Sequence, residues 1–391
     1  MLPVVLYDPA YRARFFPMAY FVPLWELRTG ALKSRTRWQK VFEGHDVLLL
    51  PPAGFEEVAA ALSPKSKVLT EDQLPDDAIF VNSALIPGPD FDAEKVAEQG
   101  SNPFCKHLTM GAFKELTDTP IQNLDLDGEG DSFHVLRKPW EVVRHLETFI
   151  RWDRRFFRRY SQDFDCEGPK ENLHIAASAK VASNVVIDTS AGPVVIDDQV
   201  QVKPFSYLVG PLYVGKKTIV LGSKLSASSF GEDCRVNGEV FGTVLQDCVN
   251  KAHDGFIGHS YVGHFVNFGA MTTNSNLKNT YGPVRLRTPD STMDTGMNKF
   301  GMLCGPHTKF GIGSLIPTGS LIGGFCNLFA GGNFLPKHTE HFRWYDGIQM
   351  DMYRFDQAVR TAEKMAERRN RNFSAAETRA ALNVYRRVYK P

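Results

Sequence analysis

The side chains in this sequence that could do chemistry gather in three places. Residues 250–276 hold His253, His259 and His264 together with Asn267, Asn274 and Asn276. Imidazole gains and loses a proton near neutral pH, so a histidine here could serve as a general base. His259 and His264 also have an H-x4-H spacing, and zinc catalysis needs three protein ligands with an open fourth position. Further on, Gly305-Pro306-His307-Thr308-Lys309 adds another imidazole and a cation. Near the start, Arg28-Thr29-Gly30 with Lys33, Arg35 and Arg37 sets a glycine among cations, a composition that can cradle phosphate groups.

The elements that must position these residues follow from periodicity. Ile196, Val202, Leu208, Val214 and Val220 recur at intervals of six, as do Phe310, Ile316, Ile322 and Leu328, and again Phe256, Val262 and Phe268. Six is neither a helix period nor a strand period. It is the period of a hexapeptide solenoid, a left-handed parallel β-helix in which each short strand forms one wall of a triangular coil. One apolar residue per wall stacks on its equivalents in neighbouring coils, so no repeat is stable alone. Gly215, Gly263, Gly269 and Gly323 follow apolar positions, where a tight corner least welcomes a Cβ. The stretch Lys278 to Asn298, with Gly282, Pro283, Pro289 and Gly296, interrupts the series and predicts a loop projecting from the solenoid.

Ahead of the solenoid, Val4–Tyr7, Asp46–Leu50 and Ala78–Val81 read as strands, while Phe55–Leu62 and Trp140–Phe157 have helical spacing. This predicts an α/β domain with a mainly parallel sheet. After His341 the pattern turns helical, with Asp351–Arg368 as one helix and a capping box at Ser374 and Glu377 opening another. The expected division is 1–165, 166–341 and 342–391, the last a helical extension that seals the final coil.

Residues 250–277 resemble the acetyltransferase half of GlmU, the bifunctional glucosamine-1-phosphate acetyltransferase and N-acetylglucosamine-1-phosphate uridylyltransferase. That family sets a catalytic histidine five residues before an aliphatic-Gly corner, then takes a five-residue step to the next, then Val-Asn-Ile-Gly-Ala. Here His253 stands five before Gly258, Ile257 to Val262 is the short step, and Val266-Asn267-Phe268-Gly269-Ala270 follows. The resemblance implies that His253 is the general base, that Asn267 contacts the sugar, and that Ala270 and Asn276 face acyl-CoA. Phe256 replaces the family's sugar-contacting tyrosine, which puts the acceptor sugar in doubt. Lys278, Arg285 or Lys309 could supply the substrate-binding cation, and His307 is a further candidate for acyl-CoA contact. The N-terminal half, through Leu6-Tyr7-Asp8-Pro9, Pro23 to Gly30, Val81 to Pro87 and Arg137 to Glu141, is similar to a shortened, divergent nucleotidyltransferase domain in an alternative branch of this family.

The resemblance therefore implies acetyl-CoA-dependent N-acetylation of an amino sugar phosphate such as glucosamine-1-phosphate, coupled to uridylyl transfer from UTP. Arg28, Gly30, Lys33 and Arg35 would then bind the nucleotide and Mg²⁺ would be held by carboxylates, for which Asp8 and Asp153 are the candidates. A basic face kept for assembly or sugar binding is the other role open to this domain. Acylation in a different sugar-nucleotide pathway is the alternative to the whole scheme. Hexapeptide solenoids also include γ-class carbonic anhydrases, but that class draws a third histidine from well upstream, and none lies between His174 and His253.

Composition narrows the rest. Lys and Arg number 45 against 44 Asp and Glu, which argues against a nucleic-acid partner. Six scattered cysteines without a C-x-x-C pair read as reduced thiols, and no apolar run is long enough for a membrane span. A cytoplasmic enzyme is expected. Solenoids of this class pack three prisms side by side with active sites between them, so a homotrimer is expected too.

Overall fold

A computed structural model describes residues 1–99, 102, 104–117, 132–157 and 164–389. The N-terminal domain is built on a four-stranded sheet. Its central strands Val4–Tyr7 and Asp77–Asn82 run parallel to each other, and Val47–Leu50 lies parallel to the first. Cys105–Thr109 adds an antiparallel edge to Asp77–Asn82. Trp25, Trp38 and Phe42 fill one side of the sheet, each at most 1% exposed.

From Leu173 onward the chain coils as a left-handed parallel β-helix. Its first wall stacks nine strands from Leu173–Ile175 to His338–Thr339. The second wall runs from Lys180–Val181 to Arg343–Tyr345, and the third starts at Val186–Asp188 and reaches Phe256–Gly258. The hexad residues of the 196–220 and 310–328 series point inward as the period requires, whereas in the third series Ile257, and not Phe256, takes the inward place. Ile196 and Val214 lie on the first wall, Val202 and Val220 on the second, Leu208 on the third, and all are at most 1% exposed. Each such burial contributes roughly 1.5–3 kcal/mol. The glycines answer to contact between coils rather than to backbone twist. A Cβ on Gly215 would lie 2.6 Å from the Gly231 carbonyl oxygen, and one on Gly263 would lie 2.6 Å from Pro306 N. The left-handed residues at the first-to-second corner are instead Gln199, Lys217, Asp233, Cys248, Phe265, His307, Phe325 and Phe342.

Three expectations are revised. The interruption at 278–298 is a packed hairpin, Arg285–Arg287 against Thr292–Asp294, with Val284 and Leu286 at most 1% exposed in the core beside the first wall. Alternating apolar residues drive it inward. The solenoid continues past residue 341, because Arg343–Tyr345 pairs in parallel with the strand at Asn327–Leu328 and Met350–Met352 closes antiparallel on it. The helices Phe355–Glu367 and Ala375–Val388 run back along the first-to-second corner instead of sealing the end. Ala362, Ala381 and Val384 join Phe325 and Phe342 in one cluster, while Ala380 reaches Phe55 and Val58 of the N-terminal domain. Arg371 pairs with Glu232 at 3.3 Å, several coils back from the tail's start. The Ser374 capping box forms as read, with Ser374 N donating to Glu377 at 2.7 Å and Glu377 N donating to Ser374 Oγ at 3.2 Å.

The N-terminal domain covers the outer face of the first wall. The outward row Val195, Tyr213, Ser229, Val244, Tyr261, Leu303 and Leu321 is continuous in register. All seven are at most 4% exposed. One charge cluster pins this docking. Asp247 accepts from Lys33 at 2.9 Å and from Arg28 at 3.2 Å, and Lys33 also reaches Glu26 at 3.2 Å. Burial pushes the Asp247 carboxyl up, but the attraction of Lys33 and Arg28 outweighs it, and the group ends far below the usual carboxylate range. Asp247→Ala should therefore cost about 3–5 kcal/mol, because two cations are left buried without their partner. A depressed folded-state pKa also makes this stabilisation complete above about pH 4 and lost as pH falls further. Thermal denaturation of both proteins between pH 3 and 7 checks both statements: the wild-type advantage should shrink on acidification.

Candidate active site

The three corners of the prism hold the three histidines apart. His253 lies between the second and third walls, His259 between the third and first, and His264 between the first and second. One chain cannot gather them around a zinc ion, and no cluster of three metal-binding side chains occurs among the described residues.

His253 stands on the most open of these corners. The chain turns there over residues 252–255, whereas the coil above turns over only 237–238, so the His253 corner stands proud of its neighbour. The imidazole is exposed, and the corner is propped from inside by Lys251. This lysine occupies an inward hexad position, paired in register with Val236, and is 1% exposed. Its ammonium donates to the carbonyl oxygens of His253 and Asn237, the latter at 3.3 Å. Burial pushes its pKa down to about 8. Reading the sequence for chemistry passed over Lys251, although a lysine where the six-residue step from Leu245 to Ile257 demands an apolar residue was a visible signal.

The second wall brings polar candidates to one side of this corner. Asn250, Asn267, Lys309 and Asn327 form one outward row, and Asn250 donates to the Asn267 Oδ1 at 2.9 Å. Lys309 donates to the His307 carbonyl, and burial lowers its pKa to about 7, so it is only a partial cation at neutral pH. Below His253 the corner turns apolar and exposed. Ala270 is half-buried, Met271 is 60% exposed and Ile312 is 79% exposed.

Asn276 lies elsewhere, at the far end of the third wall. Its amide meets His259 Nδ1 at 2.7 Å, and a Cβ on Gly258 would lie 2.5 Å from that amide and 2.4 Å from the Phe256 ring. Phe256 thus spans the third wall between the His253 and His259 corners. Burial and the charge of Lys299 lower His259 to about 4, leaving a neutral ring at pH 7. Around it Arg144, Arg151 and Lys299 line a cleft of about 500 Å³.

His307 is placed against its expected role. It is 1% exposed and stacked between Phe265 at 5.1 Å and Phe325 at 4.6 Å, under the C-terminal helices. It cannot reach an acyl-CoA molecule from there. Both ring nitrogens are buried without a hydrogen-bond partner, and burial with nearby His264 holds the imidazole well below its ordinary pKa.

The basic turn at 28–37 is corrected as well. Arg28 and Lys33 are spent on Asp247, and Arg35 donates to Glu26 at 2.7 Å. Gly30 has φ +103° and faces Phe149 and Asp153 at a separation that excludes a Cβ. Its carbonyl accepts from Ser229 Oγ at 2.6 Å. Arg28, Lys33 and Arg35 line a cleft at the junction of the two domains with Lys40 and Lys216, but Asp197, Asp198, Glu232 and Asp247 share it and nearly cancel its charge, a poor lining for a triphosphate. Mg²⁺ fits neither candidate carboxylate. Asp153 takes both nitrogens of Arg37 at 2.7 Å, and Asp8 accepts from Leu24 N and Ser83 Oγ. The sequence pattern of cations around a glycine is the same for a phosphate cradle and for a docking clamp; only the partner carboxylates distinguish them.

If the stacking account of His307 is right, His307→Phe should fold with a melting temperature equal to or above wild type, since it removes two unpartnered nitrogens and keeps the stack. A drop of several degrees in differential scanning calorimetry would show that the imidazole does something the stack does not.

Parts of the chain are similar to known proteins. Residues 4–161 match the family model for sugar nucleotidyl transferases. A bifunctional sugar-1-phosphate nucleotidylyltransferase/acetyltransferase of Sulfurisphaera tokodaii is 27% identical over 153 residues, covering 36% of each chain. The bifunctional protein GlmU of Methanococcus vannielii is 24% identical over 237 residues, 56% of this chain and 49% of that protein. The match thus spans half or less of the length of these relatives. A hexapeptide transferase family protein from Anaplasma phagocytophilum superposes with a TM-score of 0.25 at 13% identity, over 56% of this chain and 92% of its own. No helix among the described residues is long and apolar enough to cross a membrane. The chain thus joins a domain that matches the sugar nucleotidyl transferase model to a hexapeptide solenoid, and it is similar to bifunctional GlmU-type proteins.

Proposed function

We propose that this chain is an acetyl-CoA-dependent N-acetyltransferase acting on an amino sugar phosphate, with His253 as the general base. The observation that carries this reading is the composition of one corner. An exposed imidazole stands between a polar row, Asn250 with Asn267 and Lys309, and an exposed apolar column, Met271 with Ile312. A sugar could engage the first and the pantetheine chain of acetyl-CoA the second. An ammonium does not attack a thioester, so a base must take its proton as the C–N bond forms. His253 accepts that proton, the thiolate of CoA leaves, and the tetrahedral oxyanion needs donors in place, most simply corner N–H groups.

The bifunctional relatives support an acyl acceptor that is a sugar 1-phosphate, and glucosamine-1-phosphate is the first to test. The paired cations at 28–35 favour a docking role for the N-terminal domain over uridylyl transfer. Acylation within another sugar-nucleotide pathway remains the alternative, and Phe256 in place of a hydroxyl donor is what favours it.

The site lies on a convex corner with Asn276 a wall's width away, so a second copy of the chain must supply the opposite side of the cleft. A homotrimer with His253 facing a neighbouring prism meets that need and covers Met271 and Ile312. Multi-angle light scattering at micromolar concentration should give about three times the chain mass, and a monomer would sink the arrangement.

His253→Ala should lower kcat for acetyl transfer by roughly 10²–10⁴-fold while changing the KM for acetyl-CoA little. Its melting temperature should stay at the wild-type value, because the side chain is exposed. His264→Ala is the control and should remain active. Full activity in His253→Ala with a dead His259→Ala would move the base to the His259–Asn276 pair.

A further inference from the structure

A second cleft, of about 770 Å³, opens on the first-to-second corner beneath the last coils, across the prism from His253. Four stretches of chain that are far apart in sequence build it. Phe16 and Tyr20 come from the N-terminal segment, Pro289 from the tip of the hairpin, residues 338–343 from the last coil, and Arg387 from the C-terminal helix. Its size lies within the range of small-molecule sites.

We propose that this cleft binds a phosphoryl group carried on a small organic molecule, held by Arg343, Arg387 and His341. The two guanidinium groups are its strongest charges. Arg343 lies 5.1 Å over the Tyr389 ring, and neither arginine has a carboxylate partner among the described residues. Half-buried Arg343 thus differs from Arg28, Arg35, Arg37 and Arg371, which are paired with carboxylates, while Arg387 stands exposed on its helix. The one acidic group in the lining is Glu340, and its Oε1 already accepts from His341 N at 2.9 Å.

His341 supplies the second, independent sign. The residue is 1% exposed, and its Nδ1 accepts from Gly324 N at 2.8 Å. That bond fixes the proton on Nε2, which is buried with no hydrogen-bond partner, the Glu340 carboxylate standing 3.9 Å away. Leaving a buried donor unmade is costly, and an anion at this position would remove that cost. Burial, with His338 adding to it, lowers His341 to about 3, so the ring is a neutral donor at physiological pH. A neutral N–H beside two fixed guanidinium groups suits a phosphate monoester, which offers three acceptor oxygens. Phe16, Val384 and Val388 form the apolar remainder, against which a carbon skeleton can lie. The site shares no residue with the His253 corner and stands whether or not acetyl transfer is the reaction.

Isothermal titration of the full-length protein in chloride buffer tests it, with inorganic phosphate and ribose 5-phosphate as probes. Both should bind saturably, the sugar phosphate more tightly because of the apolar lining. Arg343→Gln with Arg387→Gln should weaken both by about tenfold or more. Arg387 is exposed on its helix, so Arg387→Glu alone should fold and should abolish binding even if the double variant does not fold. His253→Ala should bind both probes as wild type does. No binding of either probe at millimolar concentration, or binding that survives Arg387→Glu, would overturn the assignment.

Discussion

Asp247 is the charge on which the arrangement of the two halves turns. It belongs to the solenoid, while Lys33 and Arg28, which neutralise it, belong to the N-terminal domain. Removing three charges from water is costly, and an apolar cluster of the same volume could stabilise the contact as well. What the ion pairs add is register. Tyr213, Ser229, Val244 and Tyr261 present a smooth stripe on which an apolar partner could slide, and among the described residues Asp247 is the solenoid carboxylate that pairs with cations of the N-terminal domain. Ser229, donating to the Gly30 carbonyl, fixes the same alignment one coil away. The domain therefore docks at a single height on the prism.

That height decides which surfaces stay open. With the first wall covered, the C-terminal helices have one remaining apolar column to bury, the stacked rings of Phe265, His307, Phe325 and Phe342. They lie along it and return to the N-terminal domain at Phe55 and Val58. The His259 corner is flanked by Arg144 and Met297. Among the described residues only the corner of His253 is left without a covering element, and it carries the exposed side chains Phe205, Met271 and Ile312. A monomer does not ordinarily present such a column, which is why a neighbouring prism and an acyl chain are sought there.

What could be read from the sequence is what depends on nearest neighbours along the chain. The hexads at 196–220 and 310–328 gave walls and inward faces, and Ser374 with Glu377 gave a helix start, because stacking and capping are set by local spacing. The roles of Arg28 and Lys33 could not be read, since Asp247, the carboxylate they share, lies more than two hundred residues away in the chain. The burial of His307 was hidden for the same reason: its stacking partners are one per coil, and the helices that cover them come from the tail. The glycines were placed correctly at corners, but the cause is the approach of the next coil, which periodicity alone does not express.

Lys251 joins the stability of the fold to the chemistry of the site. An inward lysine costs apolar stacking between Val236 and Phe268, in a wall where every other inward residue from Val202 to Leu328 is apolar. The cost is offset by two carbonyls at the corner, those of Asn237 and His253, which would otherwise be poorly served where the coil widens. A methionine would fill the same space and leave those carbonyls unmet, so it should loosen the 252–255 turn more than it unfolds the solenoid. The wider turn is what lifts His253 clear of the coil above. The interior thus gives up packing at one position in the same coil where the exterior needs an imidazole held away from the wall.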